Sequence, residues 1–291
     1  MPLPELLPER RAELRRLANQ LWRRHGGRIP VALEEIVDQE EELDLVYADL
    51  GEALGYIRPD GEDGFLIALN ERQPPDSTRN RFTLAHELGH FAILDHAYAL
   101  LTGKVPAYEL RPAGFGEALA ELEANSFAAA LLMPEDCFLP ELHCSPEGFV
   151  GIQDVATIFN VSFHAAAIRC VEATDYSCAL MVSAPDHSQP PRLTASDAFT
   201  REYDVSRQTQ IRGDVSPASG CSLIRLGDWF DGLPPALSRL RLVQQTIRRR
   251  SGSLFTLLGN PKWGDHSYPR NIRPRRYRKQ QPLILTVEDL T

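Results

Sequence analysis

Arg81-Phe82-Thr83-Leu84-Ala85-His86-Glu87-Leu88-Gly89-His90-Phe91-Ala92-Ile93-Leu94 reads as one amphipathic helix. Thr83, Leu84, Phe91 and Leu94 suit buried positions, and only Gly89 lowers the helix propensity, mildly. His86 and His90 stand four apart, so both imidazoles leave the same face about one turn from each other. Two nitrogen ligands in that relation suit a tetrahedral Zn²⁺ ion. Glu87 projects beside such an ion, where it can accept a proton from a water without coordinating. The bland alternative is a His-Glu-x-x-His that arises by chance, and a third ligand separates the two.

Two candidates compete for that place. His96 lies six residues after His90, a spacing used by some zinc proteases, but that arrangement asks for glycine at position 93 and this chain has Ile93. On a continuous helix His96 would point about 240° round from His90, away from the site. Glu121 is the better candidate. It opens Glu121-Leu122-Glu123-Ala124-Asn125-Ser126-Phe127-Ala128-Ala129-Ala130-Leu131-Leu132-Met133-Pro134, a second helical pattern that ends at its proline. Asn125, four residues on, shares the face of Glu121 and can hold the outer ring nitrogen of His86 or His90. Glu117 lies a turn earlier, and Glu123 points about 200° away from Glu121. At least one of these three acids should be only a solvated charge.

Thr-Leu-Ala-His-Glu-Leu-Gly-His over 83–90, followed by Glu-Ala-Asn-x-Phe-Ala-Ala-x-Leu-Leu-Met-Pro over 123–134, resembles the ImmA/IrrE family of bacterial metallopeptidases. The resemblance extends over residues 8 to 170. It implies zinc held by His86, His90 and Glu121, with Glu87 as general base. It also implies a substrate, a repressor of the helix-turn-helix type whose cleavage switches on stress or mobile-element genes.

The rest of the chain fits a two- or three-domain protein. With 291 residues and 43% hydrophobic content, it is long enough for a sizeable core. No apolar run approaches the ~20 residues needed to span a bilayer, and the start (Pro2, Pro4, Glu5, Glu9, Arg10, Arg11) does not read as a signal peptide. Five cysteines (137, 144, 170, 178 and 221), with no C-x-x-C pair, read as reduced thiols, so the expected compartment is the cytoplasm. Residues 5 to 25 are patterned as a helix with Leu14, Leu17, Ala18, Leu21 and Trp22 on one face. Six arginines from Arg10 to Arg24 form the other, read as a solvated face, and Gly26-Gly27 ends the helix. A short helix over Leu33–Val37 and strands over Leu43–Tyr47, Ala53–Ile57 and Phe65–Asn70 precede the His-bearing helix. Phe65–Ala68 is the most plausible edge strand to pair with an extended substrate peptide, and it reads equally as an internal strand of the sheet. The segment from His96 to Gly116 is rich in Gly and Pro and reads as a long loop over the site. Its Tyr108 can donate a hydrogen bond to an oxyanion, although a plain packing role suits it as well.

Phe149 to Arg169 reads as two helical stretches joined at Asn160-Val161-Ser162, a helix-turn-helix pattern with Val155, Phe159, Val161, Ala166 and Ile168 as its core. Its second helix offers only His164 and Arg169 to bases or phosphates, so a module that shapes the protease or docks its substrate is favoured over direct DNA binding. Beyond Tyr176 the composition changes. Residues 201–291 hold 16 Lys+Arg against 8 Asp+Glu, a balance of +8, while residues 1–200 carry −17. Cys178–Val182 and Leu283–Val287 read as strands that bracket a helix over Pro234–Arg250. Arg270–Lys279 is a basic cluster suited to phosphate or an acidic surface, and reads equally as a solvated loop. Some members of the resembled family carry a GAF-like domain in this place, and the layout is compatible.

The expectation is an α+β protein with a zincin-like metallopeptidase domain over 1–139, a helix-turn-helix module over 140–175 and a C-terminal α/β, GAF-like domain over 176–291. Its function would be site-specific cleavage of a helix-turn-helix (XRE-type) repressor by a Zn²⁺ enzyme, with Mn²⁺ also accepted by such ligands. The alternative is a DNA-binding regulator with a non-catalytic metal site, closed by a further protein ligand such as His96 or Glu117.

Overall fold

The computed structural model describes residues 6–61, 64–110, 119–145, 148–184, 191–205, 209, 211 and 220–259. Two compact units emerge: residues up to Phe138 together with Ala156–Ser162, and Leu139–Val155 together with Phe163 onward. Among the described residues, no helix is long and apolar enough to cross a membrane.

The first unit begins with helix α1 (Pro8–Arg24), whose buried face is Leu14, Ala18, Leu21 and Trp22. Gly26 (φ 89°) and Gly27 (φ 60°) then take left-handed conformations that a side chain would resist, and the helix cannot continue. Helix α2 (Leu33–Gln39) follows, then β1 (Leu43–Ala48), β2 (Gly55–Asp60) and β3 (Gly64–Asn70). After α3 (Thr78–Ala92) and α4 (Leu94–Leu101), the three-residue β4 (Tyr108–Leu110) completes a four-stranded sheet in the order β1-β3-β2-β4. β1 and β3 are parallel and the other pairs antiparallel. Phe65–Ala68 is therefore not an edge. β3 is flanked on both sides, and its Ile67, Ala68 and Leu69 are fully buried, as an apolar run hydrogen-bonded on both sides should be. Among the described residues, the edges are β1 and β4.

Helix α3 lies on β2 and β3, and glycine makes the approach feasible. A Cβ on Gly55 would stand 2.5 Å from Thr83 Cγ2. Helix α5 (Leu119–Leu132) packs between α3 and α1, burying Ala124, Phe127, Ala128 and Leu131. Arg81 ties the back of α3 to its surroundings. Its Nη2 donates to Val31 O at 2.9 Å and its Nε to Asn160 O at 3.2 Å, so a buried guanidinium satisfies two carbonyls.

Leu94 was expected in the core and is 83% exposed. The helix does not run that far. It stops at Ala92, Ile93 is extended (φ −83°, ψ 108°) and buried, and α4 starts afresh on a new axis. Nor is the arginine face of α1 simply solvated, since Arg10 is bound to Glu123 of α5.

Helices α6 (Glu135–Cys144), α7 (Gly148–Phe159) and α8 (Phe163–Ala173) come next, and α6 and α7 each contribute residues to both units. Asn160 joins α7 to α8 in a left-handed conformation (φ 49°), and Val161 N donates to Ala156 O across the turn. Val155, Phe159, Val161 and Ala166 are buried. Arg169 is also buried, at 7% exposure.

The second unit is built on a five-stranded antiparallel sheet of β5 (Cys178–Ser183), β6 (Arg192–Ala195), β7 (Gly220–Arg225), β8 (Arg241–Arg248) and β9 (Leu254–Gly259), in the order β6-β5-β9-β8-β7. One face carries Ala179, Met181, Leu242 and Leu258, which pack with Phe199 and Tyr203 of α9 (Asp197–Tyr203), Trp229 and Phe230. On the same face Trp229 Nε1 donates to Gln244 Oε1 at 2.8 Å, satisfying the buried indole. On the other face, Phe255 meets Phe163 of α8 edge-on. The helix expected over Pro234–Arg250 is instead a single turn, α10 (Pro235–Ser238), followed by β8. Leu242, Gln244 and Thr246 alternate as buried residues, a period of two that belongs to a strand. The expected strand over Leu283–Val287 and the basic cluster Arg270–Lys279 lie outside the described residues.

Candidate metal centre

Helix α3 is fixed at its start by Ser77, whose Oγ accepts from Asn80 N at 3.2 Å. Three turns on, it carries His86, Glu87 and His90, all at 0% exposure. The four-residue spacing does what helix geometry requires: His86 Nε2 and His90 Nε2 stand 3.1 Å apart. Helix α5 supplies Glu121, which reaches His86 Nε2 at 3.3 Å with Oε2 and His90 Nε2 at 3.5 Å with Oε1. One ligand atom from each of the three lies within 4.8 Å of the others.

The close approach of α5 depends on Gly89. A Cβ there would sit 3.1 Å from Phe127 Cδ1 and 3.3 Å from both Cα and O of Ala124. Glu121 precedes Ala124 by one turn, so this crossing sets how near its carboxylate comes to the imidazoles.

The outer nitrogens are also engaged. His86 Nδ1 is 3.1 Å from Asn125 Oδ1. His90 Nδ1 is 3.1 Å from His96 Nδ1, and His96 Nε2 is 2.9 Å from Glu123 Oε2. Arg10 closes the chain with Nε donating to Glu123 Oε1 at 2.8 Å and Nη2 to Oε2 at 3.0 Å. Tyr108 of β4 stacks on the His90 ring, with centroids 4.0 Å apart and planes 11° from parallel.

Charge in the site follows from burial and pairing. Burial, opposed by Glu121, drops the His90 pKa to about 4, so that imidazole is neutral at physiological pH. Burial also raises Glu121, but its contacts with His86 and His90 outweigh burial and hold the carboxyl at about 2. Burial, with the Glu121 charge second, pushes Glu87 well above the usual carboxylate range. Among the described residues, neither buried carboxylate oxygen of Glu87 has a hydrogen-bond partner. These observations fit a divalent cation. Two imidazole nitrogens and a carboxylate face one point, and an unpartnered acid stands beside it; a positive ion there compensates all of them.

His86, Glu87, His90, Glu121, Asn125 and Tyr108 are thus brought together in one site. Glu117 lies outside the described residues. Glu123 is not a solvated charge: it is 7% exposed and engages His96 and Arg10. His96 does not point away. The break at Ile93 turns α4 back, so His96 reaches the outer nitrogen of His90 rather than the ligand point. Extended backbone makes that turn without glycine. Asp95 in the first turn of α4 is the one sequence mark of a new helix start, and a weak one.

A helix with two buried imidazoles and a buried acid, joined by a carboxylate from a second helix, is the arrangement of a metallopeptidase domain. Residues 39–171 match the family Peptidase_M78, described as the IrrE N-terminal-like domain. Over 177 residues the chain is 32% identical to the radiation response metalloprotease IrrE of Deinococcus radiodurans, covering 60% of this chain and 50% of that protein. It therefore spans about half the length of that curated relative. A Mycobacterium tuberculosis transcriptional regulator shares the fold, with a TM-score of 0.50 and 13% identity over 86% of this chain and 76% of that one. Residues 39–171 thus resemble an IrrE N-terminal-like domain, and this part of the chain is similar to metallopeptidases of the ImmA/IrrE kind.

Proposed function

We propose that this protein is a zinc-dependent endopeptidase of the cytoplasm that cuts one bond in a helix-turn-helix (XRE-type) transcriptional repressor, inducing stress or DNA-damage genes. The observation that carries this reading is the convergence of His86, His90 and Glu121 beside an unpartnered buried Glu87. The radiation response named for the Deinococcus relative supports the physiological part.

His86 Nε2, His90 Nε2 and a Glu121 oxygen would hold Zn²⁺, or Mn²⁺, since this donor set accepts either. When bound, the ion supplies Lewis acidity to a water molecule and to the scissile carbonyl. Glu87 takes the proton of the attacking water and delivers it to the leaving amine. A carboxylate without other partners is free to do both. Asn125 accepts from His86 Nδ1, which leaves Nε2 as the ligating nitrogen. Tyr108 stacks on His90, and its hydroxyl is read as a donor to a developing oxyanion. Its strand β4 is, among the described residues, an edge of the sheet, and is read as the place where an extended substrate segment adds as a strand.

The second unit is read as the sensor-like part. Taken in chain order, its strands are arranged 2-1-5-4-3 and all antiparallel, which supports a GAF-like domain. The helix pair α7–α8 is read as a helix-turn-helix module that shapes the protease or docks the repressor. Burial of Arg169 leaves His164 as the sole candidate base contact of the two named for α8, which counts against the DNA-binding alternative.

The test co-expresses the chain with the helix-turn-helix repressors of its own genome. Each full-length repressor band is followed with wild type and with Glu87→Gln. One repressor cut by wild type and spared by the variant is the expected result, and fragment masses give the site. If none is cut with added Zn²⁺ or Mn²⁺, the endopeptidase reading is wrong.

A further inference from the structure

One polar chain near the metal centre is not used by the mechanism above, and it runs from the centre to the N-terminal helix. His90 Nδ1 faces His96 Nδ1 at 3.1 Å, His96 Nε2 faces Glu123 Oε2 at 2.9 Å, and Arg10 grips both oxygens of Glu123. His90, His96 and Glu123 are 0%, 4% and 7% exposed. The two metal-side imidazoles are held in different ways: His86 by the amide oxygen of Asn125, His90 by another imidazole.

We propose that His96 is a positioning residue which, locked by Glu123 and Arg10, fixes His90 as the Nδ1–H tautomer and so presents Nε2 to the metal. The inference rests on the metal-site reading. Its logic is the direction of each proton. Arg10 is donor-only and always charged, so it keeps Glu123 an acceptor. An acceptor at His96 Nε2 places that ring's proton there and leaves Nδ1 with a lone pair. That lone pair, facing His90 Nδ1 in a water-poor setting, accepts the His90 proton. His90 Nε2 is then free to ligate. Each hydrogen bond fixes the next, starting from an arginine on α1 and ending at the ligand atom, and helices α1, α5 and α4 each supply one member.

A packing role alone would make different predictions from a tautomer lock, and cobalt binding separates them. Wild type, His96→Phe and His96→Asn are titrated with Co²⁺ against a chelator while the visible d–d bands are recorded. His96→Phe keeps a ring but has no acceptor. In His96→Asn, Oδ1 stands the same number of bonds from the backbone as the imidazole Nδ1, so it can still accept from His90. The expected result is roughly 10- to 100-fold weaker binding for His96→Phe with altered bands, most of it recovered in His96→Asn. Nitrogen-15 NMR of the metal-free protein should show His90 protonated at Nδ1 in wild type and in a tautomer mixture in His96→Phe.

Equal Co²⁺ affinity and bands in wild type and His96→Phe would overturn the inference while leaving the metal site standing. If wild type takes up no Co²⁺, the metal-site reading and the inference both fall. Equal losses in the Phe and Asn variants would make His96 a matter of packing and overturn the lock. Should His96→Phe not fold, Glu123→Gln carries the test. It should weaken Co²⁺ binding by at least about threefold, and unchanged affinity would overturn the proposal.

Discussion

Gly89→Ala tests whether the crossing of α3 and α5 sets the metal centre. Two effects oppose each other. Alanine in a helix interior is favoured over glycine by about 1 kcal/mol, which would stabilise the protein if nothing else changed. Against that, the new Cβ would stand 3.1 Å from Phe127 Cδ1 and 3.3 Å from two backbone atoms of Ala124. Phe127 is fully buried and has nowhere to rotate, and the Ala124 contacts yield only if α5 moves as a body. Overpacking of this kind costs about 1–3 kcal/mol. The clash therefore wins by about 1 kcal/mol, a fall in Tm of roughly 2–4 °C for a protein of this size. The shift of α5 also draws Glu121 away from His86 and His90, so metal binding should weaken along with the loss of stability. The assay is thermal unfolding in EDTA, which removes any contribution from bound metal, together with a Co²⁺ titration. A variant with raised Tm and unchanged Co²⁺ affinity would refute the reasoning, because helix propensity alone would then account for the residue.

Three further outcomes follow from the site. Glu87→Gln should lower repressor cleavage by roughly 10²- to 10⁴-fold while Co²⁺ affinity stays unchanged; weakened metal binding would make Glu87 a ligand instead. Arg81→Met strands two buried carbonyls and should cost about 2–4 kcal/mol in urea unfolding; a cost below about 0.5 kcal/mol would show that water satisfies them. Acid should destabilise the metal-free protein. The His90 pKa is about 4 when folded and 6.5 unpaired, so the unfolded chain binds its proton first. The stabilisation is complete above pH 6.5 and is lost as the pH falls towards 4, amounting to about 2 kcal/mol at pH 5. Glu121, held at about 2 against 4.5, acts in the same direction lower down. Urea midpoints that do not change between pH 7.5 and pH 5 would contradict the burial of a neutral His90.

Much of the site was legible because its geometry is local. Residues four apart on a helix share a face whatever the helix packs against, and that alone predicts the approach of His86 to His90 and of Glu121 to Asn125. What failed were inferences that needed tertiary information. Pro234–Arg250 has leucines and arginines at spacings a helix would also accept, and only pairing with β7 and β9 selects the strand. Phe65–Ala68 reads equally as an edge or an interior strand until its two neighbours are known.

His96 shows most clearly where sequence reasoning ran out. Placing it 240° round from His90 assumed one continuous axis, and no proline or glycine between the two residues argued otherwise. The fold ends the helix at Ile93 because that side chain can be buried there, at 2% exposure, while Leu94 goes to solvent. One extended residue then replaces the helical angle with a new one, and the six-residue spacing delivers an imidazole to the back of His90. The same event changes the meaning of Glu123 and Arg10. Glu123, on the flank of α5, has a partner to hold only because α4 turns back. Arg10, one of six arginines that look alike in sequence, becomes the one that anchors the chain of hydrogen bonds. A single backbone decision thus extends the metal centre from two helices to four.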